Sequence, residues 1–288
     1  MTFALTAASE TALNPPRQAE PAMIKKPFHT SIFSRFSVAL GLLSLVAGQT
    51  FAAEEAWIDL FNGRNLDNWK IKFTGHELGV NYRDTFTVKD GLLAVTYANW
   101  PDFNNEFGHM FYDEAFSNYN LRVEYRFVGA QVTNGPDWAF RNNGMMLHSQ
   151  NPTTMTLSQE FPVSIEAQML GGNGTDPRPT GNVCTPGTNM VMGGELVTRH
   201  CTNSNSQTLH GDQWVTMEME VRGSESIKQF VNGALVLEYQ DIQLDPADND
   251  AKALIEGGSP LMLDRGYISI QAESHPIEFR KIAIQLLD

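Results

Sequence analysis

The stretch NLRVEYRFV, residues 120–128, alternates in strict period two. Leu121, Val123, Tyr125 and Phe127 fall on one side, and Arg122, Glu124 and Arg126 on the other. Successive side chains of an extended chain point to opposite faces, so this is a strand with one buried and one polar face. The same rhythm recurs in GMMLHSQ (144–150), VSIEAQML (163–170), WVTMEMEVR (214–222), YISIQA (267–272) and the final run 277–286. WIDLF (57–61) reads as a short opening strand. Asp90-Gly91 separates Phe86–Val88 from Leu92–Tyr97, and Asn232-Gly233 separates Ile227–Val231 from Ala234–Tyr239. Both dipeptides suit the tight turns that join antiparallel strands. Helical periodicity is scarce, and Asp245–Asp250 reads as a solvated loop, with a calcium site as the alternative. About twelve strands with such turns predict an all-β sandwich of two antiparallel sheets.

The chain ahead of these strands reads differently. From Met23 it runs MIKKPFHTSIFSRFSVALGLLSLVAGQTFA, with Lys25, Lys26 and Arg35 in front of an apolar run, Val38–Ala47. Basic, apolar and small-residue regions in that order form a secretory signal, disordered or helical, with cleavage expected after Ala52. The apolar run falls short of the ~20 residues that span a bilayer, so no stable membrane insertion is expected after its removal. Residues 1–22 read as an upstream extension with the true start at Met23, and 53–288 as a single domain. The expected location is periplasmic or extracellular.

Asp and Glu number 33 against 20 Lys and Arg, a net charge of −13. This excludes nucleic acid as a partner, since phosphate binding needs basic patches, and it disfavours anionic membrane surfaces. The chain has two cysteines, Cys184 and Cys201. In an oxidising compartment they are expected to pair, and closing this loop would contribute about 3 kcal/mol. The rival reading is a metal or redox pair beside His200, but CxxC spacing is missing.

Several strands place polar residues two apart: Glu124 and Arg126, His148 and Gln150, Glu166 and Gln168, Gln271 and Glu273. Members of each pair share a face. Side by side they would make the polar floor of a groove. The plainer reading is a solvated outer face laced with cross-strand ion pairs.

The blocks WIDLFNGRNLDNW (57–69), RNNGMML (141–147), SIEAQML (164–170), VNGALV (231–236) and GYISIQAESHPIEFRKIAI (266–284) resemble, in order, those of the DUF1080 family, the 3-keto-disaccharide hydrolase domain. The resemblance covers residues 56–288. It departs at Ile165, where members often carry an aromatic, and at His275-Pro276, where they often carry His-Gly. Residues 173–212 look like an insert similar to a Cys-containing segment in one branch of the family. The resemblance implies a concanavalin-like jelly roll and an exported hydrolase of 3-keto-glycosides, with a small carbohydrate as its partner.

Such a reaction needs a base at C2, a donor to the C3 oxygen and an acid for the leaving group, with hydration afterwards. Glu166 is the expected base, and His148 or His275 the acid. Gln168 and Arg141 are expected on sugar oxygens, and Arg126 on the enolate. Glu124, Gln271 and His109 complete the expected substrate-binding set, His109 at the rim. Arg280 either anchors the last strand or reaches the groove. No cofactor is demanded; a divalent metal on His148 and Glu166, closed by His275 or Glu273, is the alternative. Two other functions compete. One is a direct glycosidase using Glu166 and Glu273. The other is a lectin-like module stacking sugars on Trp100, Trp138, Phe103 and Phe107.

Overall fold

The computed structural model describes residues 56–288. The signal and extension expected over 1–52 lie outside the described residues. Two antiparallel sheets face each other, the sandwich expected from the alternating strands and the jelly roll that the resemblance implies. The larger has ten strands. In spatial order they are Glu195–Val197, Thr188–Met192, Ala234–Leu244, Ser226–Val231, Val215–Arg222, Asn118–Phe127, Ile277–Leu286, Leu92–Val95 and Phe86–Lys89, with Ile58–Asp59 also paired to Ile277–Leu286. The smaller has seven: Cys201–Thr202, Asn182–Cys184, Ile165–Leu170, Asn142–Ser149, Gly266–Ala272, Gly108–Phe116 and Trp69–Phe73.

The inner faces are the apolar sets read from the sequence. Leu121, Val123, Tyr125 and Phe127 of the larger sheet join Met145, Leu147, Ile165, Ala167 and Met169 of the smaller in one buried cluster. Removing these surfaces from water is the main force holding the sheets together. At both predicted hairpins the two central residues take positive φ: 53° and 78° at Asp90-Gly91, 49° and 82° at Asn232-Gly233. That left-handed pair matches the twist of the strands it joins.

Three readings change. The opening strand shrinks to Ile58–Asp59. Residues 173–212 are no mere insert: they supply Asn182–Cys184 and Cys201–Thr202 to one sheet and Thr188–Met192 and Glu195–Val197 to the other. Strands of two to five residues are too short to show a period. The loop expected at Asp245–Asp250 leads into a helix, Asn249–Glu256, whose first turn is capped by Asp248 accepting from Ala251 N. Asp245 accepts from Ala247 N at 2.9 Å. Both aspartates therefore serve local backbone geometry. Among the described residues, no helix is long and apolar enough to cross a membrane.

Two expected site positions are corrected at this level. Glu124 and Arg126 point outward from the larger sheet, on the opposite side of the sandwich from Glu166, because their neighbours Val123, Tyr125 and Phe127 fill the core. Arg126 pairs with Glu278 at 2.7 Å, and Glu124 pairs with Arg280, which anchors the last strand. Arg126 and Arg280 also both lie over the Trp214 ring, at 4.7 and 4.6 Å. This face is the laced, solvated one.

His148 is displaced for another reason. Tyr267 pairs with Ser149 but Ser269 with Met146, so the 142–149 strand carries one extra residue there. His148 takes φ 47°, and the bulge reverses the alternation. Its Nε2 lies 2.9 Å from Gly223 O, and its ring meets Tyr119 edge-on at 6.3 Å. Tyr119 belongs to the core, so His148 turns inward.

Candidate active site

The outward residues of the smaller sheet line up in rows, since its central ladders hold register. One row runs Asn182, Gln168, Gly144; the register continues to Gln271, His109 and Lys72. The next runs Cys201, Cys184, Glu166, Met146 and Ser269. Gly144 stands at the centre. A Cβ there would lie 2.5 Å from Glu166 Oε1 and 2.8 Å from Gln271 Oε1. The missing side chain is what lets these two groups converge over the floor of the sheet.

A cavity of about 380 Å³ opens on this floor. Asn142, Glu166, Gln168 and Glu273 line it from the sheet, and Trp138, Phe161 and Arg178 from the loops. Glu166 and Glu273 are 6% and 3% exposed, and Glu166 Oε1 and Glu273 Oε2 have no hydrogen-bond partner within the protein. Burial pushes both carboxyls well above the usual range. Glu166 is raised further by the charge of Glu273, while the Arg178 guanidinium pulls Glu273 the other way. Arg178 thus favours the charged form at Glu273. Arg178 is fixed by donating to Gly171 O, Arg141 O and Trp138 O at 2.7, 3.0 and 3.0 Å.

The structure sorts the remaining expected residues. Gln168 lines the cavity, its Oε1 accepting from Asn182 Nδ2 at 3.0 Å. Gln271 is buried beside Glu166. His109 lies on the same row but under Phe161, which meets it edge-on at 5.7 Å, so it is no rim residue. Burial, with the nearby Lys72 ammonium, drives its imidazole down to about 3. His275 is packed edge-on between Phe127 and Phe140, outside the cavity lining. Burial and then the Arg141 charge push it to about 4. Neither imidazole is cationic at neutral pH, and His275 lies outside the cavity lining, which corrects it as the acid. His148 faces the core and is absent from the lining, which corrects it as acid and separates it from Glu166 as a metal partner. Arg141 is pinned to Gly211 O and Asp212 rather than turned to the cavity. Trp100, Phe103 and Phe107 are core residues, which leaves Trp138, 53% exposed, as the aromatic platform of that set.

Cys184 and Cys201 form a disulfide between directly opposed positions of two strands. Cys184 in turn pairs with Glu166, so the bridge forms the cavity wall beside that carboxyl. His200 stands with the two sulfurs within 4.8 Å, but both sulfurs are taken up by the bridge. Sequence reasoning passed over Asn142 and Arg178. Asn142 was within reach, since it shares the parity of Gly144. Arg178 lies in DPRPT, where no period marks a facing direction.

The model of the 3-keto-alpha-glucoside-1,2-lyase-like domain matches residues 56–285. Two chains from Parabacteroides distasonis, provisionally described as glycosyl hydrolases, are 18% and 17% identical, with TM-scores of 0.47 and 0.48. Each covers 81% of this chain, and the match spans 100% and 95% of theirs. A Bacillus subtilis protein of unknown function with a galectin-like fold is 10% identical over 80% of this chain and 94% of its own, with a TM-score of 0.49. No curated protein matches.

Proposed function

The chain belongs to the 3-keto-alpha-glucoside-1,2-lyase-like family, and from that premise we propose that it is an exported enzyme cleaving 3-keto-glycosides by elimination across C1 and C2. The observation that carries this reading is the pair of buried carboxyls, Glu166 and Glu273, in one cavity with unequal electrostatic surroundings. Two titratable groups pushed apart in this way divide into an acid and a base.

A ketone at C3 acidifies the C2 hydrogen. Glu273, whose charged form is favoured by Arg178 and becomes more populated as pH rises toward about 8, takes that proton, and the electron pair moves onto the C3 oxygen. As the charge returns, a C1–C2 double bond forms and the C1–O bond breaks. Glu166, still protonated, delivers its proton to the leaving oxygen. Water adding to the double bond completes a net hydrolysis. Glu166 thus exchanges the base role expected from sequence for that of acid. Gln168 and Asn142 offer amides to sugar hydroxyls, and the exposed Trp138 ring suits the apolar face of a sugar. The disulfide agrees with an oxidising compartment. The same carboxyl pair also fits a direct glycosidase acting on unoxidised sugars.

The test compares Glu273→Gln and Glu166→Gln on a 3-keto-disaccharide and on 3-keto-glucosyl fluoride, whose leaving group needs no proton. Glu273→Gln is expected to lose about 10²–10⁴-fold in kcat on both. Glu166→Gln should lose as much on the disaccharide and recover on the fluoride. Equal turnover of the unoxidised disaccharide by the wild type would favour the glycosidase reading, and full activity of Glu273→Gln would remove it as the base.

A further inference from the structure

Elimination from a 3-keto-glycoside gathers negative charge on the C3 oxygen, and that charge needs a donor fixed in advance. Arg126, expected there from sequence, lies on the far face and pairs with Glu278. Arg141 is held by Gly211 O and Asp212. The buried Lys72 ammonium donates to Phe73 O and Leu157 O at 2.8 and 3.2 Å. Among the described residues, Arg178 is the one Arg or Lys in the cavity lining. Its bonds to Gly171 O and Arg141 O use Nη1, and its bond to Trp138 O uses Nη2. A guanidinium carries five N–H donors, so Nε–H and one Nη2–H are left over. Glu273 Oε2 takes neither, since it has no hydrogen-bond partner. Three carbonyls thus fix a charged fork and leave part of it for an acceptor in the cavity.

The ladder sets the order of the groups along the sheet. Arg178 bonds the carbonyls of Arg141 and Gly171, which face each other just beyond the Asn142–Leu170 rung. Ile270 pairs with Met145, and that register carries Glu273 to the level of Asn142. Glu166 pairs with Met146, and its carboxyl leans back to Gly144. Along the strands the order is therefore guanidinium, Glu273, Glu166. A 3-keto-glycoside presents its reacting atoms in the same order: the C3 oxygen, the C2 hydrogen and the C1 oxygen.

We propose that Arg178 is a catalytic residue whose spare N–H groups bind the C3 oxygen and hold the enolate charge, so that the loop between Leu170 and Asn182 recognises the ketone. The inference rests on the elimination reading of the cavity and supplies the donor which that reaction requires. The C2–H electron pair becomes the C2–C3 double bond, the carbonyl pair moves onto oxygen, and the proton goes to Glu273. Arg178 stays protonated throughout. Its hydrogen bonds strengthen as the oxygen becomes charged, and a bond that is stronger in the transition state than in the bound ketone lowers the barrier.

The test uses 3-keto-1,5-anhydroglucitol, which keeps the C3 ketone and the C2 hydrogen but has no glycosidic oxygen. Deuterium uptake at C2 in heavy water, followed by NMR, then reads enolate formation alone. Wild type and Glu166→Gln should both exchange, and Glu273→Gln should not. Arg178 also favours the charged form of Glu273, so exchange is measured across pH. An effect through Glu273 alone would move the rising limb to higher pH and leave the plateau intact. Loss of the enolate partner lowers the plateau, by about 10²–10³-fold in Arg178→Gln. Arg178→Lys keeps a cation to support folding but loses the planar fork, and its plateau should fall about tenfold. An unchanged plateau in folded Arg178→Gln, or in Arg178→Lys should the first variant not fold, overturns the assignment while leaving the base in place. A wild type that neither exchanges this ketone nor cleaves a 3-keto-disaccharide overturns the elimination reading, and the role of Arg178 falls with it.

Discussion

The outward faces of the two sheets carry the same kinds of residue and do opposite things. On the larger sheet, Arg122 meets Glu218 at 2.8 Å, Arg126 meets Glu278 at 2.7 Å, and Glu124 meets Arg280. These groups are partly exposed, and each charge has an opposite partner across the ladder. On the smaller sheet, Glu166, Glu273, Gln271 and His109 are buried, and all four present side-chain atoms with no partner in the protein. Exposed pairs contribute roughly 0–1 kcal/mol each. A buried unpaired polar group costs about 1–3 kcal/mol. The difference teaches that facing outward is not the same as facing water. Loops carrying Trp138, Phe161 and Arg178 close over one face and leave the other bare.

The contrast is most severely tested at Gly144. Gly144→Ala puts a methyl where the ends of Glu166 and Gln271 now lie. The methyl would also lie 2.6 Å from Glu166 Cγ, and both side chains are buried, so the variant should fold at an overpacking cost of about 1–3 kcal/mol. Activity on a 3-keto-disaccharide should fall by about 10²-fold, since displaced catalytic groups are that costly. Retained kcat/KM in this variant would mean that the convergence over Gly144 is not the site.

A smaller effect separates the faces by stability. The Glu273 carboxyl stands at about 8 when folded, against an ordinary 4.5. Between those pH values the folded chain keeps a proton the unfolded chain has lost. Its contribution is thus complete below the unfolded pKa and drains away as pH rises toward the folded one. Glu273→Gln has no proton to lose and should flatten that slope by at most about 1.4 kcal/mol per pH unit. Melting temperatures near pH 5 and pH 8 check it: the variant should gain on wild type only at the higher pH. The smallest effect belongs to the larger sheet. A double-mutant cycle on Arg122 and Glu218 should give under about 1 kcal/mol, shrink in high salt and leave kcat unchanged. A coupling several times larger would erase the distinction between the faces.

The sandwich was legible because alternation and turn chemistry are local. NLRVEYRFV set its own facing, and Asn232-Gly233 its own turn. The site was only half legible. Glu166 and Gln168 share a strand with constant parity, and the structure places both in the cavity. His148 stands on a strand whose parity reverses at a bulge, and no residue type marks that reversal in advance. Glu124 and Arg126 alternate as cleanly as Glu166 and Gln168, and only the covering loops tell the faces apart. Arg178 comes from a segment whose position is set by long-range pairing rather than by its own pattern.

The two-residue strand Cys201–Thr202 at the margin of the smaller sheet has a consequence outside the reaction. An outermost strand with free N–H and C=O groups can recruit another molecule's backbone and begin an aggregate. Here that margin is short, and a covalent tether holds it in place. The tether that walls the cavity therefore also limits how far a neighbouring chain could extend the sheet from this margin.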